Sequence, residues 1–246
     1  MSADLRAEAA RVNWFHSIEL APGFVTPGRT DTRAQVERLH LPASLAGKTV
    51  LDVGAWDGYF SFEAERRGAE RVVALDTFAW QARGERTGKA GFELARRALS
   101  SSVEDVECEV VDISPETVGG RFDVVLCLGV LYHMRHPLLM VEKLRSVTDG
   151  LLILETHVDL LGLRRPAMAM YPGFELDSDW SNWWGPNPAA VIGMLEQSGF
   201  SSVAQVHPRS ALPGRAARAL RALRGSGGTK PRRAVMRQGR AVFHAR

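Results

Sequence analysis

Cysteine is scarce here: the 246-residue chain has two, Cys108 and Cys127, each in an apolar, strand-like stretch. That excludes a disulfide framework and a cysteine-rich metal centre. It points instead to buried thiols in a reducing compartment, and so to a cytoplasmic location. Long apolar runs are also missing. None approaches the roughly 20 residues that a membrane span needs, and residues 1–11 are polar, Ala-rich and of mixed charge, unlike a secretory leader. Acidic residues are absent from one region: Arg209 to Arg246 carries 11 Lys+Arg and no Asp or Glu. The other 208 residues hold 20 basic and 28 acidic side chains, a balance of −8, so the overall +3 belongs to the C-terminal segment. Such a block is a solvated surface or a docking site for an anion, RNA included.

What is present is ordinary for a globular domain with a real core. Apolar residues make up 45% and charged residues 24%, and the length fits one α/β domain with added segments. Residues 1–45 have no clean period and read as a lead-in and cap, with a helix near 32–39. From 46 to 246 the pattern alternates. Strands are expected at 48–53, 71–75, 106–111, 122–128 and 151–154, and helices at 59–67, 91–99 and 137–147. An aromatic insert (171–184), a helix (188–197) and closing strands at 200–206 and 241–244 follow, with a basic insertion at 208–238 before the last strand. This order predicts a Rossmann-like, doubly wound, mostly parallel seven-stranded sheet. Fully apolar strands suit a sheet covered on both faces.

The strongest local signal is Leu51-Asp52-Val53-Gly54-Ala55-Trp56-Asp57-Gly58, directly after a strand and before a helix. A tight strand-to-helix turn needs glycine where the backbone takes unusual dihedrals or meets a ligand, and Gly54 and Gly58 supply those points. Asp52 is suited to an ammonium group or to orienting the loop. Asp76, at the end of the second strand and 22 residues after Gly54, is placed to accept two ribose hydroxyls. Asp112, after the third strand, falls near an adenine edge. A dehydrogenase would use the same layout with a third glycine to hold pyrophosphate. Here Trp56 occupies the turn, which favours an adenosyl ligand without phosphate.

Three stretches, VLDVGAWDGYFSFEAERRGA (50–69), VVALD (72–76) and FDVVLCLGVLYHMRHPLL (122–139), resemble class I S-adenosylmethionine-dependent methyltransferases. More narrowly, they resemble the tRNA wobble-uridine carboxymethyltransferases and their shorter relatives. The similarity runs from about Trp14 to the C-terminus, through Leu154-Glu155-Thr156 and Arg240-Ala241-Val242. The resemblance implies S-adenosylmethionine or carboxy-S-adenosylmethionine as donor. It also implies an Arg, a Tyr and a Lys around the extra carboxylate, which must be paired on burial. Arg240 and Tyr132 match two of these positions; the third aligns roughly with His16 and not with a lysine. The N-terminal extension that helps the longer members hold tRNA has no counterpart in this sequence.

Methyl transfer to a hydroxyl needs alignment, exclusion of water and a base. His157, after the fifth strand, is the first candidate for that base and His133, after the fourth, the second. His136, beside Pro137, reads as a local helix-start residue. Glu155, His157 and Asp159 form a less favoured alternative, a site for a divalent metal. The insert with Tyr171, Phe174, Trp180, Trp183 and Trp184 suits an acceptor pocket or a packed cap, with Asp177, Asp179 and Asn182 as added polar groups. Arg215, Arg218, Arg221 and Arg224 recur every third residue, as a solvated or anion-facing helix would show. Three readings follow: O-methylation of a saccharide or other small metabolite, tRNA modification, and, last, a non-catalytic adenosyl-ligand-binding protein.

Overall fold

The computed structural model describes residues 3–30, 32–81, 88–208 and 238–246. The recurring arginines at 215–224, the Gly-Ser stretch at 225–228 and nearly all of the basic insertion lie outside the described residues. The chain divides into two compact units, Met1–Leu126 with Ser146–Leu151, and Cys127–Arg145 with Leu152–Arg246.

The first unit opens with α1 (Ala3–Ala9), a small hairpin of β1 (Glu19–Ala21) and β2 (Phe24–Val25), and α2 (Thr32–Leu39). Then come β3 (Thr49–Val53), α3 (Tyr59–Arg66), β4 (Arg71–Asp76), α4 (Ala90–Leu99), β5 (Glu104–Glu107), α5 (Pro115–Val118) and β6 (Phe122–Leu128), whose last two residues belong to the second unit. Val50, Leu51, Val53, Val73, Ala74 and Leu75 are fully buried, so β3 and β4 read as continuous apolar runs. They pair in parallel, as do β4 and β5. The inner face of α4 is Phe92, Leu94 and Ala95, while Arg96 and Arg97 occupy its last turn, where positive charge suits the helix dipole.

α6 (Pro137–Val147) and β7 (Thr148–Val158) continue the chain. In the second unit follow the hairpin of β8 (Met168–Met170) and β9 (Trp184–Pro186), α7 (Pro188–Gln197), β10 (Val203–His207) and β11 (Gly239–Ala245). Asn187 caps α7 by accepting from the Ala190 N–H at 2.8 Å, with Pro188 opening the helix. The seven-stranded sheet has the order β10-β11-β7-β6-β3-β4-β5. β11 runs antiparallel to both its neighbours in a mostly parallel, Rossmann-like α/β sheet.

Several expected bounds are corrected. The third strand is 104–107 instead of 106–111. Its charged residues mark an edge strand, which ends the sheet on polar ground, while Val110–Asp112 curl into a 3-10 turn. Cys108 therefore lies beyond the strand, half-buried, with its thiol donating to the Glu109 carbonyl, whereas Cys127 is buried in β6. The fifth strand is much longer than 151–154. Pairing with β11 carries it through Arg240 opposite His157 and Gly239 opposite Val158. Glu155 and His157 are thus strand residues and do not lie beyond the strand. The first small hairpin falls in the lead-in read as irregular, and the strands of the second flank the aromatic insert expected at 171–184.

Candidate active site

In the first unit the turn after β3 is tied to the end of β4. The amides of Gly54 and Ala55 both donate to the Leu75 carbonyl, at 2.8 and 3.1 Å. Gly54 and Gly58 take φ of 81° and 85°, and even Trp56 sits at 50°. At Gly58 a β-carbon would also come within 2.6 Å of the Phe92 ring and 2.7 Å of Phe62. Its glycine thus answers to aromatic packing under the turn as well as to the backbone.

Asp76 accepts one backbone N–H on each oxygen, from Trp56 at 3.0 Å and Ala79 at 2.9 Å. Each carboxylate oxygen keeps acceptor capacity, the geometry that a vicinal diol would use. Burial raises the Asp76 pKa, and those backbone bonds oppose the rise. Asp52, also buried, accepts from the Ser61 hydroxyl at 2.6 Å. Desolvation, only partly offset by that bond, raises its pKa to about 6. A carboxylate held in this way is short of positive charge. Asp112 is exposed at the end of the 3-10 turn, where its backbone donates to the Glu109 carbonyl and accepts from the Thr117 hydroxyl.

The lead-in reaches this turn, which local sequence patterns do not foretell. Asp57 accepts from the backbone N–H of Phe15 and of His16, at 2.8 and 2.9 Å, and its other oxygen contacts His16 Nδ1. Phe15 stacks on Trp56 with ring centroids 4.3 Å apart and planes 12° from parallel. The Trp56 carbonyl accepts from Trp80 Nε1. Trp56 is therefore held from two sides. His16 is buried and already committed to a carboxylate.

In the second unit Arg240 pairs with Glu155 through Nε and Nη2, and its Nη1 donates to the Tyr132 hydroxyl at 3.2 Å. Arg240 faces His157 across the strands, and Glu155 shares a sheet face with His157, so the ion pair is a diagonal cross-strand contact. Tyr132 has a raised pKa because burial outweighs the help of Arg240.

Two histidine chains flank this pair. His157 Nε2 lies 3.1 Å from the Tyr171 hydroxyl, which donates to Asp159 at 2.7 Å. Burial, then the bond to Asp159, pushes the Tyr171 pKa up, so its proton stays in place. Gly185 makes room for this contact: a β-carbon there would lie 2.2 Å from the Tyr171 oxygen. His133 Nδ1 lies 3.0 Å from both the carbonyl and the hydroxyl of Ser181, and that hydroxyl donates to Asp179 at 2.6 Å. The Trp183 N–H donates to the Tyr132 carbonyl, which fixes the insert against the 132–133 turn. His136 lends its carbonyl to the Met140 N–H at the start of α6. Glu155, His157 and Asp159 each have partners of their own. Among the described residues no group of three His, Cys, Asp or Glu is arranged to hold a metal ion.

The family model described as a methyltransferase domain matches residues 29–205. The tRNA U34 carboxymethyltransferase of Dichelobacter nodosus is 33% identical over 162 residues, 64% of this chain and 47% of that protein. The protein of the same name from Edwardsiella ictaluri is 31% identical over 182 residues, 72% and 52% of the two chains. The chain thus spans about half the length of the curated relatives it matches. In fold it is similar to the N-terminal domain of EvdMO1, solved in the presence of SAH and D-fucose. The TM-score is 0.64 and the identity 19%, over 99% of this chain and 95% of that one. A family model covering most of the chain and a class I fold agree: the chain belongs to the methyltransferase-domain family.

Proposed function

We propose that this methyltransferase uses S-adenosylmethionine itself and transfers the methyl group to a hydroxyl of a small molecule, a saccharide or a related metabolite. The observation that carries the donor choice is that the side chains at two positions matched by resemblance to a carboxylated donor are already taken up by carboxylates. Arg240 is bound by Glu155, and His16 by Asp57. A further carboxylate brought to either one would meet a like charge beside the partner it needs. In this reading Asp52 takes the donor's ammonium, Asp76 the ribose hydroxyls and Asp112 the adenine. Gly54, Trp56 and Gly58 shape the turn, and Tyr132 and Arg240 are the donor-binding residues of the second unit. A histidine, His157 or His133, removes the acceptor proton.

A hydroxylated acceptor is supported by two buried polar atoms of the insert. Asn182 Oδ1 and Trp184 Nε1 have no hydrogen-bond partner among the described residues. One needs a donor and the other an acceptor, and a sugar hydroxyl is both. The similar EvdMO1 domain, solved with D-fucose present, points the same way. Incubating the protein with S-adenosylmethionine and a panel of monosaccharides that includes D-fucose should give a product heavier by one methylene, bound through oxygen. A panel left unmethylated beside methylated bulk tRNA would overturn this reading. The second reading, tRNA wobble-uridine methyl or carboxymethyl transfer, is favoured by the names of the two curated relatives.

A further inference from the structure

The two histidine chains look alike but hold their protons in opposite places. Ser181 presents two oxygens to His133 Nδ1, each at 3.0 Å. The carbonyl has no proton to give, and the hydroxyl spends its own on Asp179 at 2.6 Å. Both oxygens can only accept, so Nδ1 must carry the hydrogen. In the neutral ring the basic lone pair is then on Nε2. At His157 the logic runs the other way. The Tyr171 hydroxyl gives its proton to Asp159, so its oxygen accepts from His157 Nε2–H. His157 is also buried to 8% exposure, whereas His133 is half-buried.

We infer that His133 is the general base, with Ser181 and Asp179 as positioning residues that lock its tautomer, and that His157 serves as a fixed donor within the Tyr171–Asp159 chain. The inference rests on the proposed O-methylation and assigns its base. In the step, the acceptor hydroxyl proton passes to His133 Nε2 as the oxygen forms its bond to the donor methyl carbon. The carbon–sulfur bond breaks with its electron pair left on sulfur, which becomes a neutral thioether, and the positive charge ends on the imidazolium. The Asp179–Ser181 chain would favour that charge, as a carboxylate behind an imidazole does.

The test has two arms. Ring 15N NMR of the intact protein at mildly alkaline pH should show His133 protonated at Nδ1 and His157 at Nε2. Asp179→Ala frees the Ser181 proton to turn toward His133 and should raise the Nε2–H fraction. In the second arm, His133→Ala should lower kcat ~10²-fold with the monosaccharide probe, at unchanged donor affinity, and added imidazole should restore part of it. His133 found as the Nε2–H tautomer, or His133→Ala at full kcat, would overturn the assignment while leaving O-methylation standing. If no monosaccharide is methylated, the proposed function fails, and the NMR arm still decides whether the relay exists.

Discussion

At the scale of single residues, the turn after β3 and the helix behind it are built at a cost to stability. Asp52 has a folded pKa near 6 against an ordinary 3.8. Its raised value means that the folded state binds a proton more tightly than the unfolded chain. Stability from this group is therefore greatest at low pH and declines as pH rises from about 4 to about 6. Above that window the buried charge costs on the order of 3 kcal/mol. Asp52→Asn should stabilise the protein at pH 7.5 and do little at pH 3.5, as read by urea unfolding at the two pH values. The same variant should bind S-adenosylmethionine at least ~10-fold more weakly, because the ammonium loses a charge-assisted bond. A variant less stable than the parent at pH 7.5 would show that Asp52 is better solvated than its burial implies. Asp76→Ala should weaken donor binding by a few kcal/mol, about 10²-fold or more in calorimetry. Unchanged affinity would mean that the ribose is held elsewhere.

Between elements, the lead-in and the turn after β3 act as one assembly through Asp57. Replacing it by Ala leaves two backbone N–H groups and the His16 ring without their acceptor in a buried place. The expected loss is roughly 2–4 kcal/mol, with a parallel fall in donor affinity as the Phe15–Trp56 stack loosens. A stability loss without any change in donor binding would separate the lead-in from the site. The β7–β11 pair makes a second elemental prediction. Because Glu155 already occupies Arg240, Arg240→Leu should reduce affinity for S-adenosylmethionine and for its carboxy derivative by similar factors. A much larger loss for the carboxy donor would reveal a carboxylate pocket.

For the whole molecule, the parts legible in the sequence are those set by short-range rules. Apolar runs of strand length alternate with helices, and Gly54, Gly58 and Asp76 fall where a strand-to-helix turn requires them. The mostly parallel, doubly wound sheet follows from that rhythm, and the family from the resemblance carried by residues 50–69, 72–76 and 122–139. What was not legible depends on partners far along the chain. His16 and Asp57 are 41 residues apart, and neither stands in a pattern that announces the other. Residues 155–158 of β7 lack an apolar run, and they are held as strand by β11, over eighty residues later. Val110 and Val111 mislead in the opposite sense, since apolar character there ends in a 3-10 turn. Gly185 and Ser181 mattered through contacts with Tyr171 and His133, and composition gives no sign of that.

The central claim, methyl transfer to a small hydroxylated acceptor, is tested most directly without choosing the acceptor in advance. Methyl-labelled S-adenosylmethionine and the protein would be added to an extract from cells lacking it, and the products split into RNA and low-mass or glycan fractions. The account predicts protein-dependent label in the low-mass or glycan fraction, untouched by ribonuclease. Label released by ribonuclease would contradict it and make RNA the acceptor.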